Sequence, residues 1–250
     1  MPNPQAVLFD LDDTILLALS RPDVAWRDVL AKVIGDSEAL PITAVASAIK
    51  TFSKKFWSDA ERNRTWRVQM PGARREIVKG AFTTLIEAGY NLPPPDVANQ
   101  IADEFTVFCD DQISIFPDAY EVLAELKRRG LKMALITNGA AEAQRVKIGR
   151  FKLTDYFDHI QIEEEVGFGK PEEQAYLHAM SALGVKPDET WMVGDNLEWE
   201  ILAPQKLGIF AVWHDIRGRG TSPIAEIIPD LIISSLSDLL EHLPMTRLPS

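Results

Sequence analysis

The stretch AVLFDLDDTILL, residues 6–17, decides the fold. Its opening residues are apolar without alternation, the pattern of a strand buried on both faces of a sheet. Three carboxylates, Asp10, Asp12 and Asp13, crowd the end of that run, followed at once by Thr14 and more apolar residues. Acids in such a place either shape a turn and cap the next element or form a reaction centre, and the fragment alone leaves both open.

Downstream, residues 22–35, 42–58, 73–89 and 95–112 carry helical character, interrupted by ALPIT, QMPG and NLPPP, whose Pro and Gly residues end or redirect helices. After SIFPDAYE (114–121) short apolar runs alternate with helices: LKMALIT, a helix from 141, HIQI, a helix from 172, WMVGD, a helix from 196, GIFAVW, then LIISS and a closing helix. That alternation predicts an α/β fold, a Rossmann-like parallel sheet with helices on both faces. The core is discontinuous, residues 1–14 and 115–250, and a mainly α-helical cap domain, 15–114, interrupts it. Ligands of such sheets collect at the carboxyl ends of the strands, where LFDLDDT, ALITNG and WMVGDN each end an apolar run.

A chain of 250 residues with 46% hydrophobic content is long enough to bury a large core. Its net charge of −11 opposes nucleic-acid binding, which usually demands a basic face. No leader-like or membrane-length apolar run is evident, and the single cysteine, Cys109, cannot form an internal disulfide. These features predict a cytoplasmic protein without a membrane partner; no heptad or partner motif assigns an oligomeric state. An anionic substrate would have to be drawn by local charge or by a metal.

Asp10 and Asp12, two positions apart, can share a direction past the strand end. One carboxylate can then attack phosphorus while the other handles the proton of the leaving group and of water. Asp195, after Gly194, and Glu200 add two more acids. Two carboxylates ~4 Å apart repel by about 4 kcal/mol at an effective dielectric of 20, and a phosphate would add to the repulsion. A Mg²⁺ ion is the simplest remedy, since it takes hard oxygen ligands and bridges carboxylates to phosphate. The plainer alternative makes Asp195 a helix cap and Glu200 a solvated helical acid. Thr137 offers a hydroxyl, and the Asn138–Gly139 turn offers backbone N–H groups to an oxyanion, although TNG is also an ordinary turn. Lys170, in a Gly-rich loop before Pro171, is either a phosphoryl-binding cation or a surface lysine, with Pro171 suited to the first turn of the next helix. Glu163–Glu165 read as a solvated face or local support.

Together these residues resemble the haloacid dehalogenase superfamily of phosphohydrolases with a helical cap after the first motif. DLDDT is similar to its nucleophile motif, LITNG to its hydroxyl motif, GK before Pro171 to its lysine motif and VGDNLEWEI to its acidic motif, in the family order. The resemblance implies that Asp10 forms an aspartyl-phosphate, and that Asp12 protonates the leaving group and then activates water. It further implies that Thr137 and Lys170 hold the phosphoryl oxygens. Mg²⁺ would be bound by the Asp10 carboxylate, the Asp12 backbone carbonyl and Asp195, with Glu200 in or just outside the metal shell, through water. Glu200 departs from the more usual Asp, Asp13 stands where Gly or Asn is frequent, and Pro204 implies a short or kinked helix.

An acid at Asp12 is what dehalogenase and phosphonate-cleaving members lack, so the resemblance implies hydrolysis of a small phosphate monoester. A sugar phosphomutase would use the same core, and a silent phosphoryl-binding module would be expected to have lost one of these residues. A receiver domain, which also combines Asp, Thr, Lys and Mg²⁺, is about half this length and carries its acceptor on a middle strand. The partner expected is a small phosphorylated metabolite, selected by the cap. There ERNRTWRVQMPGARR (61–75) either meets a second anionic or planar group or is an amphipathic helical surface with Trp66 inside.

Overall fold

The computed structural model describes residues 3–18, 22–218 and 226–243. The chain divides into two compact units, residues 18–113 and the flanking segments 1–17 and 114–250.

The flanking segments form a six-stranded parallel sheet. Its strands are β1 (Ala6–Phe9), β4 (Lys132–Thr137), β5 (His159–Ile162), β6 (Thr190–Gly194), β7 (Phe210–His214) and β8 (Leu231–Ile233), in the order β5-β4-β1-β6-β7-β8. β1 lies between two parallel neighbours, Phe9 opposite both Leu135 and Val193, and all four of its residues are buried. The unalternated apolar run is the consequence of that central place. The chain moves from β1 to β4 and β5 on one side and returns to β6 on the other, so the order reverses beside β1. A crevice outside the carboxyl ends of β4, β1 and β6 follows from that reversal.

The short strands β2 (Leu16–Leu17) and β3 (Ser114–Ile115) pair antiparallel in the same unit. Two residues of pairing leave no periodicity to read, and the core unit extends to residue 17, beyond the expected 14. The helices α6 (Ala119–Arg128), α7 (Ala141–Arg150), α8 (Glu163–Val166), α9 (Glu173–Leu183), α10 (Ala203–Gln205) and α11 (Asp238–His242) complete it. α9 starts two residues after Pro171 and not around it. After β6 the chain forms a π-helical turn, Leu197–Leu202, before the three-residue α10. Pro204 lacks the N–H that a continuous α-helix would need there.

Residues 18–113 hold α1 (Pro22–Val33), α2 (Ile42–Trp57), α3 (Ala60–Trp66), α4 (Met70–Glu87) and α5 (Pro95–Gln112). Each long helix buries one stripe, as Val45, Ile49 and Phe56 do on α2. α3 is absent from the sequence reading because it buries no residue and so has no apolar stripe; Asp59 starts it by accepting a hydrogen bond from the Arg62 N–H at 2.7 Å. Among the described residues no helix is long and apolar enough to cross a membrane.

Candidate active site

Asp10 continues the line of β1, its N–H donating to the Val193 carbonyl at 3.0 Å. The chain then turns tightly: the amides of Ile15 and Leu16 both donate to the Leu11 carbonyl, at 3.0 and 2.9 Å. Asp13 takes a left-handed conformation in this turn, φ 59°. The small polar Asp, Asn and Gly tolerate that region best, which explains the residue types expected there. The carboxylate of Asp12 meets α7, where Lys147 Nζ lies 2.7 Å from both of its oxygens and Gln144 Nε2 lies 3.0 Å from Oδ2.

Lys170 is 1% exposed, so it is no surface lysine. Its ammonium stands 2.5 Å from Asp10 Oδ1 and 2.8 Å from Glu200 Oε1. Burial acts to lower its pKa, but the two carboxylates outweigh burial and hold it above the usual lysine range. Burial also raises the pKa of Asp10, and the Lys170 charge opposes that rise. The loop that delivers Lys170 is fixed by Asn138, whose Oδ1 accepts from the Lys170 N–H at 2.9 Å and whose Nδ2 donates to the Lys170 carbonyl at 2.7 Å. Gly169 is required by close approach, because a Cβ there would come within 2.7 Å of both Asn138 Oδ1 and Glu163 Cδ.

Part of the Asn138–Gly139 turn is engaged within the protein. The Asn138 side chain clamps the lysine loop, and the Gly139 N–H donates to Glu163 Oε2 at 3.1 Å. The acidic triplet is local support: Glu163 holds Gly139, Glu164 accepts from the Ala141 N–H at 2.6 Å, and Glu165 pairs with Arg145 at 2.6 Å. Thr137, 2% exposed at the end of β4, lies 2.6 Å through its hydroxyl from Gln144 Nε2.

Asp195 follows β6, and Asn196 caps the π-turn by accepting from the Glu198 and Trp199 amides at 3.0 and 3.1 Å. Both oxygens of Glu200 are engaged, Oε1 by Lys170 and Oε2 by the Asn196 N–H at 2.8 Å. It therefore stands as the second counter-ion of Lys170. Burial, then the charges of Glu200, Asp10 and Asp13, push the Asp195 carboxyl up to about 9. Glu200 is pushed up to about 7, by burial first, with Lys170 opposing. Asp10, Asp12, Thr137, Lys170, Asp195 and Glu200 all line one cavity of about 150 Å³. Asn196 and Trp199, which share that lining, and Gln144 and Lys147 were not singled out from the sequence.

These donors fit a Mg²⁺ ion. Among the described residues no group of three His, Cys, Asp or Glu side chains forms a ready metal cage. Mg²⁺ needs no such cage, since it uses one or two carboxylates and keeps several waters. Burial and the neighbouring carboxylates both raise Asp195, and a hard cation among these oxygens would offset both.

A family model for haloacid dehalogenase-like hydrolases matches residues 4–208. The chain belongs to this family. Among similar proteins, a phosphoserine phosphatase of Thermus thermophilus is 32% identical, over 93% of this chain and 96% of its own length. A glyceraldehyde 3-phosphate phosphatase of Pyrococcus furiosus is 27% identical, over 96% of this chain and 92% of its own. The magnesium-bound crystal structure of the HAD-hydrolase YfnB from Bacillus subtilis superposes with a TM-score of 0.69 at 23% identity, covering 96% of this chain and 99% of that one, a likeness of fold. This haloacid dehalogenase-like chain is thus a hydrolase of the phosphatase type, acting on phosphate esters.

Proposed function

We propose that the chain is a Mg²⁺-dependent phosphatase that hydrolyses a small-molecule phosphate monoester through an aspartyl-phosphate on Asp10. The observation that carries this reading is the placement of Asp10, the Lys170 ammonium 2.5 Å away and Asp12 around one cavity. The names of the relatives, a phosphoserine and a glyceraldehyde 3-phosphate phosphatase, support a small phosphorylated metabolite as substrate.

An oxygen of Asp10 attacks phosphorus, the bond to the leaving oxygen breaks, and Asp12 gives that oxygen its proton. Asp12, now a carboxylate, takes a proton from water, whose oxygen attacks phosphorus; the bond to Asp10 breaks, and phosphate leaves. Lys170, the Thr137 hydroxyl and the backbone N–H of Asn138 hold the phosphoryl oxygens. The Asp10 carboxylate, the Asp12 backbone carbonyl and Asp195 would hold Mg²⁺, which when bound would supply positive charge to offset the acids facing a phosphate. Glu200 acts from behind, holding Lys170, because both of its oxygens are already engaged.

The helical unit is assigned the cap's role of choosing the substrate. Its Arg-rich segment is partly absorbed in its own packing: Arg62 lies 5.3 Å over the Phe56 ring, Arg75 pairs with Asp103 at 2.7 Å, and Trp66 packs against its core.

The test is a panel of phosphorylated metabolites assayed for phosphate release with Mg²⁺ and with chelator. Turnover of at least one monoester that chelation abolishes and Mg²⁺ restores is expected. A rate indifferent to chelation would contradict the metal assignment, and turnover of phosphodiesters or phosphonates alone would contradict the substrate class.

A further inference from the structure

Asp12 is gripped by one helix. Lys147 and Gln144, a single turn apart on α7, face the same way and both reach its carboxylate. Lys147 Nζ contacts both oxygens at 2.7 Å, which fixes the place of the carboxyl group, and the Gln144 contact to Oδ2 alone restricts its rotation. The pair is partly shielded, with the Lys147 side chain 19% and the Asp12 side chain 33% exposed, so water competes with it less than on an open surface.

Gln144 is a buried polar residue in a helix that otherwise buries only Ile148. Besides Asp12, its Nε2 lies 2.6 Å from the Thr137 hydroxyl and 2.7 Å from the Asn138 carbonyl. One amide group therefore ties the proposed acid/base to the end of β4. α7 is itself anchored, through the Ala141 N–H to Glu164 and through Arg145 to Glu165. A carboxyl held by a rigid helix is aimed; one held by a loop alone can swing about its side-chain torsions.

We propose that Lys147, assisted by Gln144, is a positioning residue that aims the Asp12 carboxyl at the oxygen that leaves phosphorus. This rests on the reading of Asp12 as the acid/base. In the first step the bond from Asp10 to phosphorus forms, the bond to the leaving oxygen breaks, and the Asp12 proton passes to that oxygen. Lys147 touches neither phosphorus nor the leaving oxygen; through its contact with the Asp12 carboxyl it governs the angle from which the proton arrives.

A role in aiming a proton has a signature that a role in folding lacks. An alkoxide must be protonated to leave, whereas p-nitrophenolate leaves without help, and kcat/KM covers steps up to departure of the leaving group. Lys147→Met should lower kcat/KM for an alkyl phosphate such as glycerol phosphate on the order of 10-fold or more, and for p-nitrophenyl phosphate less than about 3-fold. Asp12→Asn should show the same selectivity more strongly, the double variant should lose no more than Asp12→Asn alone, and Lys147→Arg should recover part of the alkyl phosphate rate. Equal losses on both substrates, or no loss on either, with Lys147→Met while Asp12→Asn stays selective, would overturn the positioning role alone. Equal losses with Asp12→Asn would overturn the acid/base reading and this inference with it.

Discussion

Glu200 folds back across Gly194 so closely that a Cβ on Gly194 would lie 2.1 Å from Glu200 Cγ. The glycine of the acidic motif thus makes room for the side chain that holds Lys170 from behind. Gly194→Ala should displace Glu200 and loosen Lys170, lowering kcat/KM about 10-fold or more and stability by about 1–3 kcal/mol. Phosphatase assays and thermal melts on this variant and on Glu200→Gln check it; an unchanged Gly194→Ala enzyme would show that the close approach is immaterial.

Lys170 carries the charge balance of two buried acids. Its removal in Lys170→Met should reduce kcat/KM by on the order of 10²-fold and destabilise the fold by about 3 kcal/mol near neutral pH. Asp10 and Glu200, having lost their cation, can relieve the cost by taking up protons. The stability deficit should therefore shrink as pH falls from 8 to 5, measured by denaturant titration at each pH; a deficit that grows on acidification would contradict the pairing.

Asp195 gives a pH dependence of opposite sign to that of an ordinary salt-bridged acid. Its folded pKa, about 9, lies above the usual 3.8, so the folded state binds the extra proton between those values. In metal-free protein its contribution to stability is lost as pH rises through that window. Asp195→Asn should therefore melt about 2–4 °C higher than wild type in chelator near pH 8, a gain of about 1 kcal/mol, with little difference at pH 4. Mg²⁺ should raise the wild-type melting temperature more at pH 8 than at pH 6, because the ligand must lose its proton, and should leave Asp195→Asn nearly unmoved.

Asp13 separates conformation from chemistry. At φ 59° the position should accept Asp13→Asn with activity within about 2-fold of wild type, while Asp13→Val, β-branched in the left-handed region, should lose about 1–2 kcal/mol. Thermal melts and steady-state kinetics distinguish the two; a tolerated valine would mean that the turn relaxes.

The parallel sheet was legible in the sequence because β1, β4 and β6 are buried on both faces, which leaves unbroken apolar runs ending in polar clusters. Asp10, Thr137, Lys170 and Asp195 were legible for the same reason, each standing at or just beyond a strand end or in a Gly-marked loop. Lys147 and Gln144 were not, since in AEAQRVKIGR a lysine and a glutamine look like any solvated helical face until the helix is placed against Asp12. The partner of Glu200 was hidden too, because its contact with Lys170 joins positions thirty residues apart through a close approach over Gly194. α3, without a buried residue, left no periodic trace.

On the proposed mechanism the phosphoryl group passes through Asp10. Asp12→Asn enzyme mixed with p-nitrophenyl phosphate and Mg²⁺, quenched in acid and analysed by intact-protein and peptide mass spectrometry, tests it most directly. One added phosphoryl group is expected, mapped to the peptide containing Asp10 and absent from the Asp10→Asn/Asp12→Asn double variant. Phosphorylation at another residue, or an Asp10→Asn enzyme that still turns over substrate at the wild-type rate, would contradict it.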